Sequence, residues 1–317
     1  MYKREMLALL QKFNAQIEPL SMFTTFGIGG NAIVVLPHAL DELEGCLSVL
    51  ETNKIRFKVI GNGSNLLAPS RRTNLVIVCT KNLTQEPLQV KEIDGNQCLV
   101  KVSSGINLNQ FIMWCAERGL EGLENLYGIP ATVGGAVVMN AGAFEVSIFD
   151  HLKALTVYEI GEVKTLKACE IEVGEHTSEL LHSGKIVLEA EFVMSYGSKE
   201  NILARIKEIS RKRLEKQPQG KSAGSVFKNP KVEPAGKLID RAGLKGQRLG
   251  KAYVSKKHAN FNLSDGATDR QVKKLIAKIQ KIVKRKFGIY LEREIEYIGE
   301  DDENHRRLSH SHKIQQK

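Results

Sequence analysis

Three glycine-rich turns and one serine-bearing loop hold the groups from which chemistry could be built. Gly61-Asn62-Gly63-Ser64-Asn65 directly follows an apolar run that ends at Ile60. Two glycines one residue apart let a backbone turn tightly, expose its N–H groups and approach a phosphate with no Cβ in the way. Taken alone, such a turn is common after strands. The segment from Leu126 to Gly142, LYGIPATVGGAVVMNAG, adds four glycines among small apolar residues. It can lie flat against a large planar ring and supply backbone hydrogen bonds. Upstream, Thr24-Thr25-Phe26-Gly27-Ile28-Gly29-Gly30 is a third small-residue turn. Three such loops imply a large phosphorylated cofactor. None contains GxGxxG or GxxxxGK[ST], which argues against the Rossmann and P-loop readings.

The second constellation is Ser222-Ala223-Gly224-Ser225-Val226-Phe227-Lys228-Asn229-Pro230. A serine hydroxyl after glycine is accessible and can donate a proton, and Lys228 and Asn229 can hold an anionic or amide group. GxSxG is absent and no Ser-His-Asp order emerges, so hydrolase chemistry is not indicated. Near the end, Leu291-Glu292-Arg293-Glu294-Ile295-Glu296 reads as a strand that puts Glu292, Glu294 and Glu296 on one face. Spacing alone is met equally well by a solvated edge strand. No His, Cys or acidic cluster accompanies these loops, and no metal site is expected.

These residues must be positioned by a mixed set of elements. Val34 to Pro37, Phe57 to Ile60, Leu75 to Thr80, Cys98 to Ser103 and Lys185 to Val193 read as strands. Apolar residues at helical spacing mark Asp41 to Leu50 and Asn107 to Arg118, the latter stopped by Gly119. After Tyr196-Gly197-Ser198 a basic helix follows, with Ile202, Leu203, Ile206 and Ile209 on one face, and it ends before Gln217-Pro218. A last long helix starts near Thr268, where Gln271 completes a capping box, and carries the stripe Val272, Leu275, Ile276, Ile279, Ile282 and Val283. Residues 300–317 are polar, lack periodicity and read as a disordered tail, His305, His310 and His312 included.

Composition bounds the rest. The chain has 317 residues, 42% of them hydrophobic, more than one compact core usually supports. No export signal and no membrane span is read from it. Five cysteines, odd in number and without a CxxC pair, read as free thiols in a reducing compartment. The formal net charge is +10, yet residues 201 to 290 hold 24 Lys plus Arg against 6 Asp plus Glu, a net of +18 that leaves −8 for the remainder. This asymmetry points to an anionic partner. A nucleotide-diphosphate ligand fits it. A nucleic-acid partner is not expected, because no binding module and no interleaved aromatics accompany the charge.

The motifs TTFGIGG (24–30), VIGNGSNLL (59–67), GIPATVGGAVVMNAGAF (128–144), SAGSVFKNP (222–230), AGKLIDRAGLKG (235–246), VSKKHANF (254–261) and LEREIEYIG (291–299) together resemble the UDP-N-acetylenolpyruvoylglucosamine reductase family. The short stretch from His176 to Ser225 is similar to the branch that lacks the extra substrate loop. The resemblance implies an α+β fold: a two-lobed FAD-binding domain of the vanillyl-alcohol-oxidase/PCMH type over residues 1–197, its lobes split near 70, and a C-terminal α+β substrate-binding domain over 198–299. It implies non-covalent FAD, NADPH as reductant, a UDP-sugar substrate, a cytoplasmic location and a monomer. Cofactor contacts are implied at Thr25, Gly27, Gly29, Gly61, Asn62, Gly63, Ser64, Asn65, Ile129, Pro130, Thr132, Gly134, Gly135, Asn140 and Gly142. Substrate contacts are implied at Lys228, Asn229, Lys257 and His258, the proton donor at Ser225 and a catalytic glutamate at Glu294. Where the family has Tyr-Arg-x-Ser, this chain has Glu175-His176-Thr177-Ser178, which puts His176 in the arginine's place. Arg293 replaces a usual proline and Glu145 a usual glycine. The alternatives are another FAD-dependent oxidoreductase of the same superfamily, or a flavin-binding homologue with impaired turnover.

Overall fold

The computed structural model describes residues 3–83 and 89–299, so the tail read over 300–317 lies outside the described residues. The helices are α1 (Lys3–Leu10), α2 (Leu40–Thr52), α3 (Leu108–Glu117), α4 (Val133–Val138), α5 (Lys199–Lys216), α6 (Ala235–Arg241) and α7 (Asp269–Phe287). Described residues within Met1–Gln16, Ile33–Asn62 and Val76–Lys216 form one unit. Those within Ile17–Ala32, Gly63–Leu75 and Gln217–Lys317 form a second. The chain therefore passes between units inside the GNGSN turn.

The first unit holds two main sheets and two short hairpins. In the smaller, Val76–Cys79 lies between Asn31–Val35 and Phe57–Ile60 and runs parallel to both. All four residues of Val76–Cys79 are buried, as expected of a parallel strand covered on both faces. The apolar residues of α2 fall on one face, and Leu43, Cys46, Leu47 and Leu50 pack with Leu10, Phe13, Ile33, Val35, Val76 and Val78. The larger sheet is antiparallel, in the order Glu162–Lys167, Leu152–Glu159, Ile186–Tyr196, Gln97–Ser103, Gln89–Asp94. Ile186–Tyr196 alternates buried and half-buried residues along its length. Its inward side, with Ala190, Phe192 and Met194, packs against α3 and α4 and the Ile202 and Ile206 face of α5. Phe111 of α3 sits 5.4 Å from Phe192, ring centre to ring centre. Burying each such side chain is worth about 1.5–3 kcal/mol. The core therefore fixes α3 and α4 firmly against the sheet.

The second unit is built on α7. Its stripe of Val272, Leu275, Ile276, Ile279 and Val283 is buried, and its polar face stays in water. Thr268 Oγ accepts from the Gln271 amide while Gln271 Oε1 accepts from the Thr268 amide, which closes the capping box read from the sequence. Gly288, at φ +72°, ends the helix in the left-handed conformation that glycine adopts freely. Against α7 pack α6 and an antiparallel sheet of Arg248–Leu249, Ala252–Val254 and Asn262–Ser264. Leu66–Leu67 pairs in parallel with Glu296–Tyr297.

The strand expected over Leu291–Glu296 is corrected here. Regular strand covers only Glu296–Tyr297, preceded by a single bridge between Arg293 and Phe227. Arg293 lays its guanidinium over the Tyr297 ring at 3.7 Å. Among the described residues no helix is long and apolar enough to cross a membrane.

Candidate active site

In the first unit the site is assembled around α4. Thr132 is its N-cap, and the hydroxyl accepts from the Gly135 amide at 3.2 Å. The Val133 and Gly134 amides donate to Ile106 O and Ser104 O, both at 2.8 Å. The start of α4 thus spends its first amides on the protein and offers no bare helix terminus. A Cβ on Gly61 would overlap Thr132 Oγ1, and one on Gly134 would come 2.7 Å from Ser104 Cβ. Those two glycines are demanded by close approach. Asn62 ties the turn to the loop through Nδ2 to Pro130 O at 2.7 Å. The Asn62, Gly63 and Ser64 amides donate to no acceptor among the described residues.

The far end of α4 leads to Asn140, which adopts φ +41°. Its Nδ2 donates to Gly174 O at 2.9 Å, and Ser178 Oγ donates to Val138 O at 2.7 Å. These bonds clamp the short hairpin of Val173–Gly174 and Thr177–Ser178 onto the loop. His176 occupies the tip of that hairpin at φ +52°, half-exposed.

The second unit brings together segments far apart in sequence. Val226 N–H donates to Asn260 O, Glu294 N–H donates to Val226 O at 2.9 Å, and Lys228 N–H donates to Glu292 O at 3.0 Å. Buried Asn260 brackets Phe227 from both ends, accepting from its amide at 3.0 Å and donating to its carbonyl at 2.8 Å. Asn65 Nδ2 donates to Glu294 O at 3.1 Å, and Glu296 N–H donates to Asn65 O. Thr25 joins the same weave: its amide donates to Gly63 O and its hydroxyl to Ser222 O at 2.6 Å. Ser225 and Glu294 therefore sit on paired backbone runs one step apart, both half-exposed.

Comparison with known proteins decides the identity of this arrangement. A model of the UDP-N-acetylenolpyruvoylglucosamine reductase C-terminal domain matches residues 215–298, and an FAD binding domain model matches 31–167. The reductase of that name from Carboxydothermus hydrogenoformans is 41% identical over 287 residues, covering 89% of this chain and 93% of its own. The one from Listeria monocytogenes is 39% identical, covering 90% and 94%. The crystal structure of the Thermus caldophilus reductase superposes with a TM-score of 0.75 at 33% identity, over 89% of this chain and 99% of that one. The chain belongs to the UDP-N-acetylenolpyruvoylglucosamine reductase family.

Family membership implies FAD, and the residues fit it. Among the described residues of the first unit, the buried side-chain polar atoms without a partner are Ser104 Oγ, Asn140 Oδ1 and the Nε and Nη2 of Arg213. All of them belong to or adjoin the segment from Gly128 to Phe144. Orphaned buried groups are costly, and a bound polar cofactor is a physical reason to keep them. Asn140 was singled out by motif; Ser104 and Arg213 were not. No sequence pattern marks them, because each lies on a different element and only folding brings them to the loop.

The residues singled out in the second unit divide by environment. Lys228 is exposed. Asn229 Oδ1 accepts from the Ala235 amide at 3.1 Å and so is engaged in starting α6. Lys257 and His258 both donate their amides to Ser255 Oγ. Lys257 lines a cavity of about 370 Å³ with Arg248, Tyr253, Ser255 and Lys256. His258 stacks edge-on against Phe261, its Nδ1 buried without a partner, and burial followed by the nearby Lys245 charge holds its pKa below the ordinary value. Cys79 Sγ donates to Gly61 O of the glycine-rich turn at 3.5 Å; burial pushes the Cys46 thiol up to about 12, and Cys79, Cys98 and Cys115 are raised by the same cause.

Proposed function

We propose that the protein reduces the enolpyruvyl double bond of UDP-N-acetylglucosamine enolpyruvate to give UDP-N-acetylmuramate, with NADPH as electron donor. When bound, FAD would supply a hydride derived from NADPH to one carbon of the enolpyruvyl double bond. The chain's own part is to hold both ligands, to exclude water and to deliver one proton to the adjacent carbon. The observation that carries this reading is the pairing of the Ser225 and Glu294 runs under Asn65 and Asn260. Ser225 Oγ is the proton donor, free of any hydrogen-bond partner among the described residues, as a delivering hydroxyl should be. Glu294 lies on the paired run and assists at the same centre. His176, on the hairpin clamped by Asn140 and Ser178, supplies a polar group in place of the family's guanidinium.

Cofactor binding is assigned to Thr25, Gly27, Gly29, the Gly61–Asn65 turn, Ile129, Pro130, Thr132, Gly134, Gly135, Asn140 and Gly142. Thr132 and Gly134 act as shape, since their polar groups are already taken. Lys228 and Lys257 provide charge for the substrate diphosphate, with Asn229 and His258 fixing the loops that carry them. The protein acts in the cytoplasm as a monomer, without nucleic acid. The test is direct. Purified protein should show flavin absorbance that NADPH bleaches anaerobically and that UDP-N-acetylglucosamine enolpyruvate restores. A colourless protein that takes up no FAD refutes the cofactor, and a bleached flavin that the enolpyruvyl substrate leaves unchanged refutes the substrate.

A further inference from the structure

Arg213 lies in the last turn of α5, and nothing in the reading above uses it. Its Nε and Nη2 are buried and have no hydrogen-bond partner among the described residues. The carboxylates of its own helix are committed elsewhere: Glu208 pairs with Arg205 at 2.9 Å and Lys212 at 2.6 Å, and Glu215 with Arg211. The guanidinium sits over the Phe144 ring at 5.6 Å. Its Cδ presses on Gly128, where a Cβ would come within 2.6 Å and where φ is +92°. Gly128 therefore gives the arginine passage, and the charged fork is delivered onto the segment from Gly128 to Phe144. Desolvation already lowers the pKa of the group, so the fold tolerates a cation here at a cost.

We propose that Arg213 is a cofactor-binding residue that donates paired charge-assisted hydrogen bonds to an anionic oxygen of bound FAD. A planar fork with two adjacent free N–H groups matches such an acceptor, and an arginine stays charged at any working pH. The acceptor is either a phosphoryl oxygen of the diphosphate or the N1–C2=O edge that carries the charge of reduced flavin. The inference rests on the family's use of FAD and goes beyond it by assigning a residue outside every motif.

A structural arginine and a ligand-binding one behave oppositely when removed. Arg213→Met takes an unpaired charge out of a buried place, so the apoprotein should melt at the same or a higher temperature. The same variant should bind FAD about ten- to a hundredfold more weakly in a fluorescence-quenching titration of apoprotein, the range expected for one hydrogen-bonded charge. Arg213→Lys should recover part of that loss. The two-electron potential of the FAD-loaded variant separates the acceptors: a fall places the arginine at the flavin edge, and an unchanged potential places it at the diphosphate. Unchanged FAD affinity in Arg213→Met overturns the proposal, as does an apoprotein destabilised as much as the holoprotein. A parent protein that binds no FAD would defeat the cofactor reading itself, which this titration records separately.

Discussion

Gly61→Ala tests how the first glycine-rich turn is built. The new Cβ would overlap Thr132 Oγ1 and approach Thr132 Cβ and Cγ2, both at 3.2 Å. That hydroxyl is the N-cap of α4, accepting from Gly135. The substitution must displace the cap or push the turn away. Losing a threonine cap costs about 0.5–2 kcal/mol, and overpacking a fixed site costs about 1–3 kcal/mol. Together they give a destabilisation of roughly 2–4 kcal/mol. For a unit of this size each kcal/mol lowers Tm by about 2–4 °C, so the apoprotein should melt roughly 5–15 °C lower. FAD should dissociate more readily, because α4 and the Pro130 loop move with the cap. Thr132→Gly removes the obstruction while keeping a residue acceptable at an N-cap. The pair Gly61→Ala with Thr132→Gly should then be more stable than the sum of the single changes predicts. Additive losses, or a Gly61→Ala protein with parental Tm and FAD affinity, would show that the contact does not govern the turn.

Ser225→Ala should leave flavin reduction by NADPH nearly intact and slow flavin reoxidation by the enolpyruvyl substrate by about a hundred- to ten-thousand-fold, with Glu294→Gln showing the same asymmetry. Equal slowing of both half-reactions in stopped-flow measurements would make these residues structural. Lys228→Glu should raise KM for the UDP-sugar more than KM for NADPH, and equal effects would remove Lys228 from the substrate site. Asn262 is 1% exposed on the strand Asn262–Ser264, and neither atom of its amide head finds a partner. Asn262→Leu should therefore raise stability by about 1–2 kcal/mol in urea unfolding, and a loss would show that the amide is satisfied in solution. His258, with its pKa held below the unfolded value of about 6.5, binds its proton more weakly when folded. Its contribution to stability is complete above that value and is lost as pH falls through it towards the folded pKa. His258→Phe should flatten the drop in Tm below about pH 6.5, and an unchanged profile would place the acid sensitivity elsewhere.

The helices were legible wherever a buried stripe or a capping residue announced them. The apolar spacing of α2, α3, α5 and α7 is visible in the chain, and the Thr268–Gln271 box forms as read. The short helix α4 was not legible. Five of its six residues are glycine or valine, poor helix formers, and it is held by a cap and by Ser104 and Ile106 rather than by its own pattern. The hairpin of Leu152–Glu159 and Glu162–Lys167 escaped for another reason. It turns on Ile160-Gly161 at φ +47° and +79°, where asparagine would be the usual signal and a β-branched residue is the least expected. Glu145 is similar. It holds φ +68° at a position where the family has glycine, so the departure visible in sequence corresponds to backbone strain in the fold.

The candidate site was legible as motifs but not as contacts, and the difference has a physical origin. Motifs mark positions where backbone conformation or close approach restricts the residue, as at Gly61 and Gly134. They are silent about polar atoms supplied from distant elements, such as Asn260 behind Phe227 or Arg213 over Phe144. Orphaned buried atoms supply that missing signal, provided the two kinds are separated. Asn262 is buried on the strand Asn262–Ser264 of the second unit, and it reads as a stability defect. Ser104, Asn140 and Arg213 come from different elements but all belong to or adjoin the segment from Gly128 to Phe144, and on the proposed reading the cost of leaving them unpaired falls on the apoprotein. A ligand that satisfies them stabilises the folded state by mass action, by about 2.7 kcal/mol at a hundredfold excess over its Kd. The first unit should thus be only modestly stable when empty and markedly more stable with FAD, because the fold leaves part of its polar interior for the cofactor to complete.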